Sequence, residues 1–452
     1  MPIEKANSLE YYLIAFDAKG KEHKDDPDGL NGLMSKVVLK NLSDNPITDV
    51  FLMSHGWMGD VPAAKKQYNK WISAMAANQA DINQIKQARP GFRPLLIGLH
   101  WPSKPFGDEN LDDGSVSFDT AAESPVEQII EQYAERIADT EVARDALRTL
   151  FVEAMDNIAP DELPSEVRQA YEVLNQEADL GYDGVGGAPG ADREAFDPEA
   201  IFQSADEQAE PVSFGIGDFF NQPIFESLRT ISFGATKKRA CQFGENGGFE
   251  LLKALQQSAA DNVRFHLMGH SFGCVVMSAS LAGPNGQGTL VRPINSLTLV
   301  QGALSLWSYC SKIPKIKNRA GYFHSIIAEG KVAGPIITTQ SEHDTAIGIF
   351  YALGSRLHSQ IEYALGELPK YGAVGEFGAQ GPGLDIVEMK MRHSNESYSF
   401  ESGKIYNLES SAFIRDENAS LLKRNTIGAH SDFDKPEVAH AVWSAAIGVS
   451  II

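Results

Sequence analysis

Apolar residues follow two different periods along this chain, and the alternation between the periods predicts the fold class. Short apolar runs typical of buried strands alternate with stretches in which apolar residues recur every three or four positions, the spacing of a helix face. Strands joined by helices run parallel, because a parallel pair needs a crossover connection. The pattern predicts an α/β protein with a doubly wound, mostly parallel sheet and a functional site at the carboxyl ends of its strands. The predicted strands are residues 11–16, 37–39, 50–53, 95–99, 263–268, 294–300, 334–339 and 405–408.

Residues 104–235 break this pattern and carry the acidic charge of the chain. Helical spacing begins there at Ser124-Pro125-Val126-Glu127, a helix-start signal, and an aromatic stretch over 214–233 closes the segment. Between Lys104 and Phe220 there are 29 acidic and 6 basic residues, against 31 and 33 elsewhere. We therefore expect a core formed by residues 1–103 and 236–452, with residues 104–235 as an acidic, mostly helical lid. The alternative is a solvated helical excursion with no part in function.

Composition limits the partners of the protein. A net charge of -21 repels phosphate backbones and anionic lipids, so nucleic acid is not an expected partner. No stretch approaches the ~18 consecutive apolar residues of a membrane span, and no signal peptide is visible. Three well-separated cysteines argue against a disulfide framework or a zinc knuckle. We expect a cytoplasmic protein that needs no metal or cofactor; the sequence does not indicate its oligomeric state.

The segment Gly269-His270-Ser271-Phe272-Gly273 is the only match to G-x-S-x-G in the chain. A predicted strand runs directly into it and a helix of small residues follows, which is the context of a nucleophile elbow. In an elbow the serine stands on a strained strand-to-helix turn, and glycines two residues to either side admit the neighbouring strand and helix. Ser271 is therefore the candidate nucleophile. Because a serine hydroxyl is a poor nucleophile until a base takes its proton, a histidine is expected beside it.

Four segments together resemble the esterase/lipase-like group of α/β-hydrolases. They are Ser54-His55-Gly56-Trp57, Gly269-His270-Ser271-Phe272-Gly273, Ser341-Glu342-His343-Asp344-Thr345-Ala346 and His430, and they span about 380 residues. The resemblance implies acyl transfer to water through an acyl-serine, with no particular substrate. The insertion follows the fourth predicted strand rather than the sixth, where caps more often lie, and no secretion signal is visible. Both departures argue against a triglyceride lipase.

The same resemblance implies a triad in the chain order nucleophile, acid, base. Among the histidines after the serine, His430 is best placed, because it follows the last predicted strand and precedes the C-terminal helix. The acid is expected in the loop after the strand 334–339, where Asp344 is the candidate and Glu342 the near alternative; Asp385 is more remote. An acid in that position fixes the tautomer and the orientation of the histidine.

Two backbone donors are expected to stabilise the oxyanion of the reaction. One is the N–H of Phe272, the residue after the nucleophile. The other belongs to the loop after the third strand, where the His55-Gly56 pair is similar to the oxyanion-hole loop of lipases and esterases; this implies the N–H of Trp57. Trp57 could equally form a wall of the pocket. His55 and His270, which neighbour these donors, are expected to contact the substrate.

The sequence thus predicts a serine hydrolase that cleaves a small-molecule carboxylic ester with Ser271, His430 and Asp344. The aromatic stretch over 214–233 favours an acyl group of moderate length. Nothing in the residues separates an esterase from an amidase, a thioesterase or an acyltransferase with the same triad. The alternative from another class is a non-catalytic binding protein on the same fold, against which the ordered triad argues.

Overall fold

A computed structural model of the chain describes residues 3–56, 60–103, 125–156, 160, 162–206, 222–314, 316–344, 368–415 and 428–447. The chain divides into two compact units. The first comprises Met1–Ser103, Arg239–Ile349 and Tyr371–Ile452, and the second comprises Lys104–Lys238 and Phe350–Lys370.

The described residues of the first unit form a nine-stranded sheet. Its strands are β1 (Ile3–Ala6), β2 (Leu9–Ala15), β3 (Asp49–Ser54), β4 (Pro94–His100), β5 (Arg264–His270), β6 (Ser296–Val300), β7 (Ile336–Gln340), β8 (Ile386–Lys390) and β9 (Ile405–Glu409). Their spatial order is β1-β2-β4-β3-β5-β6-β7-β9-β8. Every neighbouring pair is parallel except β1 and β2, which form an antiparallel edge. The predicted α/β class and mostly parallel sheet are confirmed.

Helices connect most of these strands, as parallel pairing requires. In chain order they are α1 (Met34–Asp44), α2 (Val61–Ala77), α3 (Gln79–Ala88), α4 (Pro125–Ile137), α5 (Glu141–Asp156), α6 (Ser165–Glu177), α7 (Pro198–Asp206), α8 (Glu226–Phe243), α9 (Phe249–Ser258), α10 (Phe272–Ala282), α11 (His324–Ala328), α12 (Val374–Phe377) and α13 (Pro436–Ile447). Within the described ranges, no helix combines the length and the apolar character that a bilayer crossing requires.

One hydrophobic core of the first unit lies between the sheet and helices α2, α3 and α13. Phe51 of β3, Trp71 of α2 and Trp443 of α13 are fully buried in it, and the rings of Phe51 and Trp443 meet edge to face at 5.1 Å. Successive residues of a strand point to opposite faces of the sheet. Val50 and Leu52 therefore face away from this core, and their complete burial shows that the sheet is covered on that side as well.

The strand predicted over residues 37–39 is wrong, because these residues lie within α1. Met34, Val38 and Leu42 are the buried residues of that helix, four positions apart, which is the spacing of one helix face. Three consecutive apolar residues fit a short strand and a helix turn equally well. Because the residues four positions before and after Val38 are also apolar, the pattern fits the buried face of a helix.

The second unit has a hydrophobic core of its own. Helices α4, α5 and α6 bury Tyr133, Phe151 and Tyr171 together, and the rings of Tyr133 and Phe151 approach to 6.0 Å. The helical spacing predicted after residue 124 is confirmed by α4 to α7. The aromatic stretch predicted over 214–233 is described only from residue 222 onward.

Candidate active site

Ser271 joins β5 to α10 in a strained turn. Its backbone has φ 56° and ψ -122°, and a positive φ is rare for a residue that carries a Cβ. The Ser271 N–H donates to the carbonyl of Val300 at the end of β6, at 3.0 Å. The Ser271 carbonyl accepts from the N–H groups of Cys274 (3.0 Å) and Ala303 (3.2 Å). The neighbouring strand and the first turn of α10 thus hold the serine at the carboxyl edge of the sheet.

The two glycines that flank this turn are required by close backbone contacts. A Cβ added at Gly269 would lie 2.4 Å from the carbonyl oxygen of Gly273. A Cβ added at Gly273 would lie 2.2 Å from the carbonyl oxygen of Ser54, at the end of β3. Any side chain at either position would push α10 away from β3 and β5. The glycines therefore set how closely the helix that follows Ser271 approaches the sheet.

His430 and Asp344 form a buried hydrogen-bonded pair. His430 lies in a 3₁₀ turn, Gly428–Ser431, and Asp344 lies in the loop after β7. The Nδ1 atom of His430 donates to Oδ2 of Asp344 at 2.8 Å, and both side chains are almost fully buried. A neutral imidazole with its proton on Nδ1 carries its lone pair on Nε2, which is the form that a general base needs.

The two other acids considered from the sequence do not reach this histidine. The side chain of Glu342 is 78% exposed, and its charge partner is His343, at 3.8 Å. Asp385 immediately precedes β8, so it lies at the amino end of that strand, whereas the serine follows the carboxyl end of β5. Of the three candidates, the structure brings Asp344 to His430.

Gln301, which was not predicted from the sequence, ties the acid to the histidine turn. Its Nε2 donates to Oδ2 of Asp344 at 3.1 Å and to the carbonyl of Ala429 at 3.0 Å. Gln301 directly follows β6 and has a left-handed φ of 47°, with its N–H donating to Oγ1 of Thr339 at 3.0 Å. Its place at the carboxyl end of a central strand is the signal that could have identified it, since ligands and catalytic groups gather at that edge.

His55, expected to contact the substrate, is fully buried at the end of β3. Its Nδ1 donates to the carbonyl of Gly56 at 2.9 Å, and its Nε2 lies 3.2 Å from Nδ1 of His100. The ring stacks on those of His100 and Trp101, with centroids 5.3 and 5.8 Å away. Burial, together with the nearby His100, lowers the pKa of His55 to about 3, so the ring is neutral at physiological pH. Both ring nitrogens are occupied within the protein.

His270, also expected to contact the substrate, is likewise buried and has two internal partners. Its Nε2 lies 2.8 Å from the main-chain carbonyl oxygen of His430, and its Nδ1 lies 3.0 Å from Nε2 of Gln67 in α2. Burial, reinforced by the neighbouring His430, lowers the pKa of His270 well below that of a free histidine. The ring is therefore neutral, and it faces the backbone of the candidate base.

The structure describes one of the two expected oxyanion donors. Phe272 is the first residue of α10, which places its N–H at the positive end of the helix dipole. A Cβ added at Gly56 would lie 2.6 Å from Cβ of Ser271, so the chain after β3 passes directly beside the candidate nucleophile. Trp57, the second expected donor, lies outside the described residues.

A hydrogen-bonded array of a serine, a histidine and an aspartate lies at the amino ends of the strands. Nδ1 of His266 lies 2.7 Å from Oγ of Ser296, and its Nε2 lies 3.1 Å from Oδ1 of Asp49. Asp49 and Ser296 are the first residues of β3 and β6, and all three side chains are buried. Arg89 forms an ion pair with Asp49 at 2.6 Å. Because it lies at the amino ends of the strands, away from the carboxyl edge where Ser271 stands, this array is a cross-strand structural contact.

Searches of protein-family models, curated proteins and solved structures found no match to this chain. Among the described residues, no group of three or more histidine, cysteine, aspartate or glutamate side chains is arranged to hold a metal ion. The geometry of the site is therefore the basis for assigning a function.

Proposed function

We propose that the protein is a serine hydrolase, similar to the esterase/lipase-like α/β-hydrolases, that cleaves a carboxylic ester through an acyl-enzyme on Ser271. The observation that carries this proposal is the buried 2.8 Å hydrogen bond between His430 and Asp344, at the edge of the sheet where Ser271 stands on its strained turn. The histidine and the acid are 86 residues apart in the chain, so the fold assembles them. A neutral histidine oriented by a buried carboxylate is the arrangement that activates a serine.

In the proposed reaction, Oγ of Ser271 attacks the ester carbonyl carbon while Nε2 of His430 takes the hydroxyl proton. Asp344 holds the proton on Nδ1 and stabilises the imidazolium. The tetrahedral intermediate collapses when the alkoxide leaves with the proton from Nε2. Water then attacks the acyl-serine, giving its proton to His430, and the carboxylic acid is released as Ser271 regains its own. The expected oxyanion donors, Phe272 and Trp57, stabilise the negative oxygen in both halves.

Labelling with a fluorophosphonate tests the nucleophile. We expect the wild type to react covalently at Ser271 and Ser271→Ala to lose both labelling and ester turnover, because removing a triad member costs about 10⁴- to 10⁶-fold in rate. Ser296→Ala, in the buried array, is the matched control. It costs about 1–3 kcal/mol of stability by leaving Nδ1 of His266 unpaired, but the folded protein should still label. A wild type that does not react, or undiminished labelling of Ser271→Ala at another serine, contradicts the proposal.

The same labelling result separates the proposed hydrolase from a non-catalytic binding protein on this fold, which would have no activated serine. A second experiment identifies the acyl acceptor and the type of bond that is cleaved. Matched ester, amide and thioester substrates with one acyl group, each assayed with and without an alcohol acceptor, distinguish an esterase from an amidase, a thioesterase and an acyltransferase. A series of p-nitrophenyl esters then gives the preferred acyl length. We expect turnover of the ester with a moderate acyl chain.

From the charge distribution we further propose that residues 104–235 act as an acidic lid. A dense array of carboxylates near a site repels anionic substrates, and salt screens this repulsion over a Debye length of about 10 Å at 0.1 M. We expect kcat/KM for an anionic ester to rise with salt concentration while a neutral ester of the same size is unaffected. Equal salt responses of the two esters would argue for a solvated excursion with no gating role.

A further inference from the structure

The residue before the candidate nucleophile contacts the backbone of the candidate base. Nε2 of His270 lies 2.8 Å from the carbonyl oxygen of His430, and the two imidazole rings are 4.9 Å apart. A carbonyl oxygen only accepts hydrogen bonds, so Nε2 of His270 carries a proton and donates it. One hydrogen bond thus connects the main chain of the base to the residue next to Ser271.

Gln67 sets the tautomer that this contact needs. Its Nε2 lies 3.0 Å from Nδ1 of His270, and an amide nitrogen only donates. In a neutral His270 with its proton on Nε2, Nδ1 has the lone pair that accepts this donation. The ring of Phe433 packs against that of His270, at 4.6 Å between centroids, and His270 is buried. The ring is therefore held by a donor, an acceptor and a packing contact.

The histidine turn is held at successive backbone groups. The carbonyl of Ala429 accepts from Gln301, the carbonyl of His430 accepts from His270, and the N–H of Ala429 donates to the carbonyl of His343 at 3.2 Å. The contact from His270 differs from the other two, because it originates next to the nucleophile. A displacement of about 1 Å between reacting groups costs on the order of 10²-fold in rate, so a contact that fixes this spacing affects catalysis directly.

We propose that His270 is a positioning residue that fixes the backbone of His430 relative to Ser271, and that Gln67 holds His270 in the neutral Nε2–H tautomer that this requires. The inference rests on the proposed function, since it assigns His270 a role in presenting the base. It also replaces the substrate contact expected for His270.

Two substitutions at His270 form a matched pair. His270→Gln keeps an amide N–H within reach of the His430 carbonyl, whereas His270→Leu removes the donor. With enzyme concentrations corrected by fluorophosphonate titration, we expect His270→Leu to lower kcat about 10- to 100-fold with little change in KM. His270→Gln should recover most of this loss.

The tautomer is tested independently of turnover by NMR on ¹⁵N-histidine-labelled protein, with His270→Gln used for assignment. We expect a protonated Nε2 and an unprotonated Nδ1 at His270 in the wild type. In Gln67→Glu, whose carboxylate accepts, Nδ1 should become protonated; Gln67→Leu removes the donor without supplying an acceptor and should leave Nδ1 unprotonated.

The outcomes separate this inference from the proposed function. A wild type that fails to label with fluorophosphonate overturns the proposed function and with it the catalytic role of His270. Normal labelling with an unprotonated Nε2 at His270 overturns the positioning inference alone. Equal losses in His270→Gln and His270→Leu, or no loss in either, do the same.

Discussion

Gly56 lies so close to Ser271 that a Cβ added to the glycine would come within 2.6 Å of Cβ of the serine. Atoms of real side chains do not approach this closely, so one of the two chain segments must move if the glycine is replaced. Ser271 is fixed by backbone hydrogen bonds to β6 and α10. Gly56 therefore sets the distance between the loop after β3 and the candidate nucleophile.

We predict that Gly56→Ala lowers the rate of fluorophosphonate labelling at least 100-fold, since a shift of about 1 Å at the reacting group has that effect. Overpacking should also cost about 1–3 kcal/mol of stability. Gly330→Ala is the control. Gly330 has a φ of 59° and open space around it, so alanine there costs about 1–2 kcal/mol through backbone strain alone. Labelling should then be normal in Gly330→Ala, and similar slow labelling in both variants would contradict the prediction.

Because Asp344 is the proposed acid, its replacement should lower kcat far more than replacement of the neighbouring Glu342. Asp344→Asn leaves the geometry but disfavours the tautomer with a proton on Nδ1 of His430, and kcat should fall by roughly 10⁴-fold. Glu342→Gln changes an exposed side chain that pairs with His343, and kcat should stay close to that of the wild type. Steady-state kinetics on a p-nitrophenyl ester measures both. The reverse ranking would transfer the role of the acid to Glu342.

The sequence predicted elements well where burial is complete and poorly where it is partial. The continuous apolar run over 263–268 predicted β5, which is buried along its whole length. β8, at the sheet edge, was not predicted, because its half-exposed residues form no continuous apolar run. The prediction of a strand over 37–39 is wrong because three adjacent apolar residues do not distinguish the period of a strand from that of a helix.

Some residues of the candidate site could be predicted from the sequence, and others could not. Ser271 lies in the G-x-S-x-G motif, and the triad order that the resemblance implies, together with the predicted strands, indicates Asp344 and His430. The sequence does not indicate Gln67 or Gln301, because no sequence motif marks a glutamine whose role is to donate a hydrogen bond to another group. Gln67 acts on a group 203 residues away, and Gln301 on one 43 residues away. Only the folding of the chain brings these groups together.

The buried imidazole of His100 predicts a loss of stability in acid. Burial, together with a small repulsion from His23, lowers the pKa of His100 to about 4, against about 6.5 in an unfolded chain. A lowered pKa means that the unfolded state binds the proton more readily. The contribution to stability is thus complete above pH 6.5 and is lost as the pH falls from there to about 4.

As the pH falls from 6.5 to 4, we expect the free energy of unfolding to decrease less in His100→Asn than in the wild type. Asparagine at this position can still donate to Nε2 of His55. A tenfold change in proton affinity corresponds to about 1.4 kcal/mol, so the difference between the two proteins should be a few kcal/mol. Urea denaturation at several pH values measures it. Parallel pH profiles for the two proteins would show that His100 protonates without penalty in the folded state.

For His440 we expect the opposite dependence of stability on pH, because its environment favours the charged ring. Its Nδ1 lies 2.8 and 2.9 Å from the two carboxylate oxygens of Asp81, and its Nε2 lies 2.6 Å from the carbonyl oxygen of Glu396. Acceptors at both nitrogens require two protons on the ring. Burial alone would lower its pKa, but the hydrogen bond and charge of Asp81, with smaller contributions from Glu396 and Glu437, outweigh burial and raise it. The ring of Tyr398 packs beside it, at 5.3 Å between centroids.

A pKa raised above the unfolded value stabilises the fold fully below about pH 6.5, and this stabilisation is lost as the pH rises through the folded pKa. Asp81→Asn removes the charge that raises the pKa, and should cost about 1–3 kcal/mol at pH 6, where the wild-type ring is charged. The cost should shrink at higher pH, because the wild-type ring then loses its own proton. Asp44→Asn is the matched control, since Asp44 pairs with Lys40 on the exposed face of α1 and its replacement should leave stability within experimental error. Chemical denaturation of the three proteins from pH 6 to 9 measures the difference, and a cost of Asp81→Asn that is the same at every pH would mean that His440 is neutral in the folded protein.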